Sequence, residues 1–158
     1  MHILIKNNYL FFNNYRIKCS VGKRGIGKKK REGDLITPIG IFKIKFILFR
    51  KDRIKKLVTK AKKITIKKNM GWCDDTSSQF YNKQITFPFK KSAEKMWLRN
   101  SMYDVLIVID YNLKPVTKKK GSAIFLHVAK KNYSPTKGCI AVNKKDILFL
   151  IRKINKKD

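Results

Sequence analysis

The chain has 158 residues, with 39 Lys+Arg against 10 Asp+Glu and a formal net charge of +29. A length of this order builds one core, and a hydrophobic content of 43% excludes a disordered basic tail, which lacks the Phe, Ile and Leu to fold. The longest apolar runs, Val105–Ile109 and 147–151, fall far short of the roughly 18 residues a membrane span needs, so no spanning helix is expected.

In chain order, residues 1–8 hold no apolar stretch and no small-residue cleavage site, so no secretory signal is expected there. The segments Tyr9–Phe12 and 15–19 flank Asn13-Asn14, a pair that tolerates the left-handed backbone of a tight hairpin. A Gly- and Lys-rich loop follows at 22–30. Alternation over 41–49 predicts a strand that grows more buried toward its end. Residues 50–61 are polar and ambiguous, and Ile64 and Ile66 predict another short strand. The stretch 71–89, rich in Asp, Ser, Asn, Gly and Pro, reads as a long ordered loop pinned by its aromatic residues. Residues 92–98 suit a short helix capped by Ser92. Segments 103–111, 123–129 and 139–142 read as strands. The end is a helix, with Asn143 as cap, Asp146 in its first turn and an apolar stripe of Ile147, Leu148, Leu150, Ile151 and Ile154. The expected fold is one mostly-β domain over residues 1–158, a sandwich or open barrel carrying a C-terminal amphipathic helix.

Two constellations bear on chemistry. Gly22-x-x-x-x-Gly27-Lys28-Lys29 nearly spells a phosphate-binding loop, but Lys29 stands where a magnesium-binding Ser or Thr belongs. Gly33, Asp34 and Pro38 follow where a helix should open. A basic hairpin loop is the better reading. The second constellation is His127, inside the apolar strand at 123–129, and Cys139, which follows Gly138. A thiol needs a base to ionise at neutral pH, and imidazole suits that task. Gly138 permits close backbone approach, and the N–H groups of Gly138 and Cys139 are candidate oxyanion donors. Spacing alone leaves open a buried structural thiol beside a hydrogen-bonded core histidine. A hairpin between the two strands is expected to bring both side chains together. Three cysteines are too few and too odd for a disulfide framework, and two histidines without a CxxC pair offer no metal site. No metal and no cofactor is expected.

Thr37-Pro38-Ile39-Gly40-Ile41-Phe42, the strand Ile124-Phe125-Leu126-His127 and Pro135-Thr136-Lys137-Gly138-Cys139-Ile140 occur in this order. Together they resemble the L,D-transpeptidase family with its YkuD-like catalytic domain. The segments at 30–34, 71–75, 81–82 and 92–94 resemble a compact bacterial subgroup of it. The resemblance implies a mostly-β fold in which Cys139 attacks peptidoglycan stem peptides and His127 takes its proton. A thioacyl-enzyme is then resolved by an amine in transpeptidation, or by water in an L,D-carboxypeptidase or endopeptidase. The third group orienting His127 is not identifiable; a backbone carbonyl is one candidate. Lys137 replaces the family's usual second histidine, and Ile140, Ala141, Val142 and Asn143 replace the arginine many members carry. These departures leave the acyl acceptor open and make Lys137 a candidate partner for a stem carboxylate.

Acids are scarce, so their placement carries information. Glu32, Asp34, Asp74 and Asp75 are candidates to bind a substrate ammonium, with stapling of their own loops as the alternative. Thr136 is a candidate substrate contact, and Trp72 and Tyr81 are candidate cleft walls, with packing of the loop onto the sheet as the plainer reading. Cys19 and Cys73 read as small core residues, with pairing open in an oxidising compartment. Lys dominates a chain rich in Ile and Asn, the residues of A+T-rich codons, so charge alone does not specify nucleic acid. The expected partners are peptidoglycan stem peptides and, by electrostatics, anionic wall polymer, with a monomer as the working unit. A non-catalytic basic binding protein is the alternative of a different class. The resemblance implies the periplasm or cell envelope, whereas the N-terminus shows no export signal and leaves the cytoplasm or non-standard export open.

Overall fold

A computed structural model describes residues 2–155. Met1, the first residue of the stretch read for an export signal, and residues 156–158, the end of the expected domain, lie outside the described residues. In chain order the strands are β1 (Leu4–Lys6), β2 (Tyr9–Phe12), β3 (Tyr15–Ser20), β4 (Ile26–Gly27), β5 (Thr37–Pro38), β6 (Ile44–Phe49) and β7 (Lys63–Thr65). There follow β8 (Met70–Cys73), β9 (Gln84–Thr86), β10 (Ala93–Lys95), β11 (Val105–Ile109), β12 (Phe125–Val128), β13 (Ile140–Val142) and the helix α1 (Lys144–Lys153). Eight strands form the main sheet in the order β1-β2-β3-β13-β12-β11-β6-β7, and β10-β8-β9 form a second, smaller sheet.

Period-two alternation divides the main sheet between two cores. Val105 and Ile107 of β11, Leu126 and Val128 of β12, and Ile140 and Val142 of β13 face one side, where α1 closes over them. Ile147, Leu150 and Ile151 of α1 are fully buried there, each contributing roughly 1.5–3 kcal/mol of apolar burial. Leu106, Val108 and Phe125 face the other side, against Met70, Trp72 and Met96 from and beside the small sheet. The result is a β-rich sandwich with a helix on its outer face and no closed barrel. Among the described residues no helix is long and apolar enough to cross a membrane.

Four local expectations change. Residues 4–12 form an added hairpin whose turn, Asn7 (φ 50°) and Asn8 (φ 59°), has the paired left-handed conformation of a two-residue loop. The stretch 71–89 is not one loop, because β8 and β9 pair within it. Residues 92–98 do not form a helix. Seven residues cannot offset helix nucleation, and Ala93 and Glu94 instead pair with Cys73 and Trp72 of β8. The strands carrying His127 and Cys139 are adjacent, but they run parallel rather than as a hairpin, with Leu126 opposite Ile140 and His127 opposite Ala141. The Gly-rich loop at 22–30 opens no helix; its β4 pairs in parallel with β5.

Candidate active site

Register decides which side chains meet. Leu126 and Ile140 both face the helix side, so Phe125, His127 and Cys139 face the small sheet. Cys139 lies one residue before β13, across from Phe125, whose N–H donates to the Cys139 sulfur at 3.4 Å. His127 is two residues farther along the neighbouring strand. Two residues of rise and one interstrand step put its Cα about 8 Å from that of Cys139. The two side chains are diagonal neighbours on one face.

His127 is 5% exposed, and its Nδ1 lies 2.9 Å from the Val128 carbonyl oxygen. A carbonyl oxygen can only accept, so Nδ1 carries the hydrogen and Nε2 keeps the lone pair. The group that orients His127 is therefore a backbone carbonyl, that of the next residue. The Tyr103 ring meets the imidazole edge-on, with centroids 5.5 Å apart, and fixes its plane. Burial pulls the imidazole down to about 4, against a smaller opposing pull from the Val128 carbonyl. The Cys139 thiol is pushed up to about 12, first by burial and then by the charge of Glu94; the Phe125 amide and Lys29 act the other way. The resting pair is thus thiol and neutral imidazole, not an ion pair. No hydrogen bond joins the two side chains among the described residues: the thiol donates to the Ala123 carbonyl oxygen at 3.0 Å.

That carbonyl is itself placed. The Ala123 N–H and the Trp72 indole N–H both donate to Asn82 Oδ1, at 3.0 and 2.9 Å. Trp72 also meets Phe125 edge-on, with centroids 5.1 Å apart. Trp72 and Tyr81 are buried, so these candidate cleft walls instead lie in the interior and support the site from behind. The Tyr81 hydroxyl donates to Glu32 and accepts from the Gly121 N–H.

On the Cys139 side, Gly138 has φ +139°, and a β-carbon there would come within 2.9 Å of the Ile36 carbonyl oxygen. Its N–H donates to Thr136 Oγ1 at 3.1 Å, and Thr136 Oγ1 donates to the Cys139 carbonyl at 2.6 Å. Thr136 is therefore a staple of the turn that carries Cys139. The Gly138 N–H, expected as an oxyanion donor, is already engaged, which leaves the Cys139 N–H as the amide of that pair. Lys137 is exposed beside them.

The expected acids separate. Asp34 is buried against Lys29. Asp75 accepts from the Ser77 N–H and hydroxyl, a local turn, and Asp74 accepts from Ser92 Oγ at 2.6 Å. Reading 92–98 as a helix hid Glu94. On β10 it accepts from the Tyr103 hydroxyl at 2.6 Å, and the charges of Asp74, Lys137 and Glu32 all act on it. Cys19, Cys73 and Cys139 are free thiols. Among the described residues no three His, Cys, Asp or Glu side chains gather as a metal site. A cleft of about 460 Å³ opens at the far end of β12, lined by residues including Met102, Val128, Ala129 and Lys144. It touches the residue that orients His127 but does not reach Cys139.

No curated protein and no solved structure matches the chain. A family model does: residues 3–158 match the L,D-transpeptidase catalytic domain, YkuD. A match of that extent runs through the strand that carries His127 and the turn that carries Cys139, and it makes the chain a member of the L,D-transpeptidase (YkuD) family of peptidoglycan enzymes.

Proposed function

We propose that the protein is a cysteine acyltransferase on peptidoglycan stem peptides, with Cys139 as nucleophile and His127 as general base. The observation that carries this reading is the His127 tautomer. With Nδ1–H held by Val128 O, the basic Nε2 belongs to the face shared with Cys139. Turning the thiol from Ala123 O toward that nitrogen exchanges one hydrogen bond for another. His127 then takes the Sγ proton as the sulfur bonds to the carbonyl carbon of the diamino acid at stem position three. The oxyanion forms opposite the Cys139 N–H. The C–N bond to the terminal D-alanine breaks, and His127 returns the proton to the departing amine. In the second half an amine of a neighbouring stem attacks the thioester. His127 accepts its proton, the new amide forms, and the proton returns to the sulfur. A neutral pair suits this sequence, because Nε2 must begin each half unprotonated, take a proton, and give it up before that half ends.

Purified tetrapeptide muropeptides, incubated with the protein and followed by mass spectrometry, test the reading. A cross-linked dimer with loss of D-alanine is expected. Tripeptide plus D-alanine alone assigns a carboxypeptidase instead. Cys139→Ala should abolish turnover; product formed by that variant removes Cys139 as the nucleophile.

A further inference from the structure

The loop that imitates a phosphate-binding motif ends in a residue the mechanism above does not use. The Lys29 side chain is 3% exposed, and its ammonium lies 2.5 Å from Asp34 Oδ1 and 3.1 Å from the Ile36 carbonyl oxygen. Its tip runs between two glycines of the site. A β-carbon on Gly121 (φ +102°) would strike Lys29 Cε at 2.3 Å, and one on Gly138 would lie 3.6 Å from Nζ. Lys29 thus places a buried charge directly behind the residue that precedes Cys139.

We propose that the Lys29–Asp34 pair is an electrostatic positioning device for Cys139: Lys29 favours the thiolate and the oxyanion that form there, and Asp34 sets how much of that charge is felt. The inference rests on reading Cys139 as the nucleophile. Asp34 is suited to the part. Besides Lys29, it accepts from the N–H groups of Ile36, Lys30 and Arg31, at 3.1, 2.8 and 3.4 Å. Its negative charge is spread over four donors, so it anchors the ammonium without cancelling its field. Burial disfavours the ionised Asp34, but those bonds outweigh it and hold the carboxyl down to about 2. The other groups facing Cys139 do not supply this charge. Glu94 on β10 opposes ionisation, Tyr103 before β11 is neutral with its hydroxyl donating to Glu94, His127 on β12 is neutral, and Lys137 is exposed.

The test is the pH dependence of iodoacetamide alkylation at Cys139, mapped by mass spectrometry. Lys29→Met removes the cation and leaves the anion, and should slow alkylation at pH 8 about tenfold, one unit of thiol affinity for its proton. Asp34→Asn does the reverse and should speed it. The double variant buries no charge, is the safest of the three to fold, and should fall between them. A structural pair would lower the thermal midpoint in both single variants without opposite shifts in alkylation. Shifts of one sign, or none, overturn the proposal. Alkylation needs no peptidoglycan, so absent muropeptide turnover by the native protein sinks the proposed function while leaving this result readable.

Discussion

His127 is buried neutral, and that has a consequence for stability as well as chemistry. Its folded value of about 4 lies below the ordinary 6.5, so between those values the unfolded chain binds a proton that the folded one does not. Stability is then fully present above pH 6.5 and is lost as pH falls toward 4, by about 3 kcal/mol. Asp34 adds a second loss of the same sign at lower pH, from about 4 to about 2. Urea midpoints between pH 7 and 4.5 should fall steadily in the native protein and stay nearly level in His127→Gln. A native midpoint that does not move over that window refutes the buried neutral imidazole. Gly138 makes a second residue-scale prediction. A methyl there meets the Ile36 carbonyl at 2.9 Å on a backbone of φ +139°. Gly138→Ala should therefore cost about 1–3 kcal/mol and, if Cys139 acts as proposed, cut muropeptide turnover more than a hundredfold, because the strain falls on the turn that carries Cys139. Thermal midpoint and turnover together check it.

At the scale of elements, the small sheet brings an opposing charge to the site. β10 carries Glu94 to Tyr103, and its carboxylate opposes ionisation of Cys139. Glu94→Gln keeps an acceptor for the Tyr103 hydroxyl and removes the charge, so alkylation of Cys139 at neutral pH should speed up severalfold with the fold intact. An unchanged rate would place Glu94 too far away to matter. The same sheet was the part least legible in the sequence, for physical reasons. Val105–Ile109 and Phe125–Val128 announce themselves, because β-branched and aromatic runs buried on both faces need a strand. Met70–Cys73 is buried at every position yet contains Gly71 and lacks alternation, and Ala93–Lys95 is three residues long. Their strand character comes from pairing with each other, which no local pattern encodes. The parallel run of β12 and β13 was hidden in the same way. Asn132, Ser134 and Pro135 mark a turn-rich connection but say nothing of its direction. The proximity of Cys139 and His127 was legible all the same, since a short link between two adjacent strands brings them together whichever way the strands run. Glu94 and Lys29 were not, because each acts through an element whose partner is distant in sequence.

Across the whole molecule, most of the acids are already bonded within the protein. Asp34, Asp52 and Asp104 pair with Lys29, Arg50, Arg53 and Lys144; Glu32 and Glu94 hold tyrosines; Asp74 and Asp75 hold serines. Among the described residues most basic side chains are therefore left without an acidic partner, and the net charge of +29 repels itself across the surface. Two properties should respond to salt in opposite senses. Repulsion weakens the compact state and is screened within about 8 Å at physiological ionic strength, so raising salt from 10 to 300 mM should raise the thermal midpoint. Attraction to a polyanion depends on displacing its counterions, so affinity for a soluble anionic polymer should fall steeply over the same range. The step at Cys139 sits between them. The Lys29–Asp34 pair is buried and little screened, so alkylation of the thiol should change far less than either. A thermal midpoint that falls with added salt would mean that surface ion pairs, not self-repulsion, dominate the electrostatics of the fold. Polymer binding that survives 300 mM salt would mean a shaped site for it, rather than attraction by a diffuse positive field.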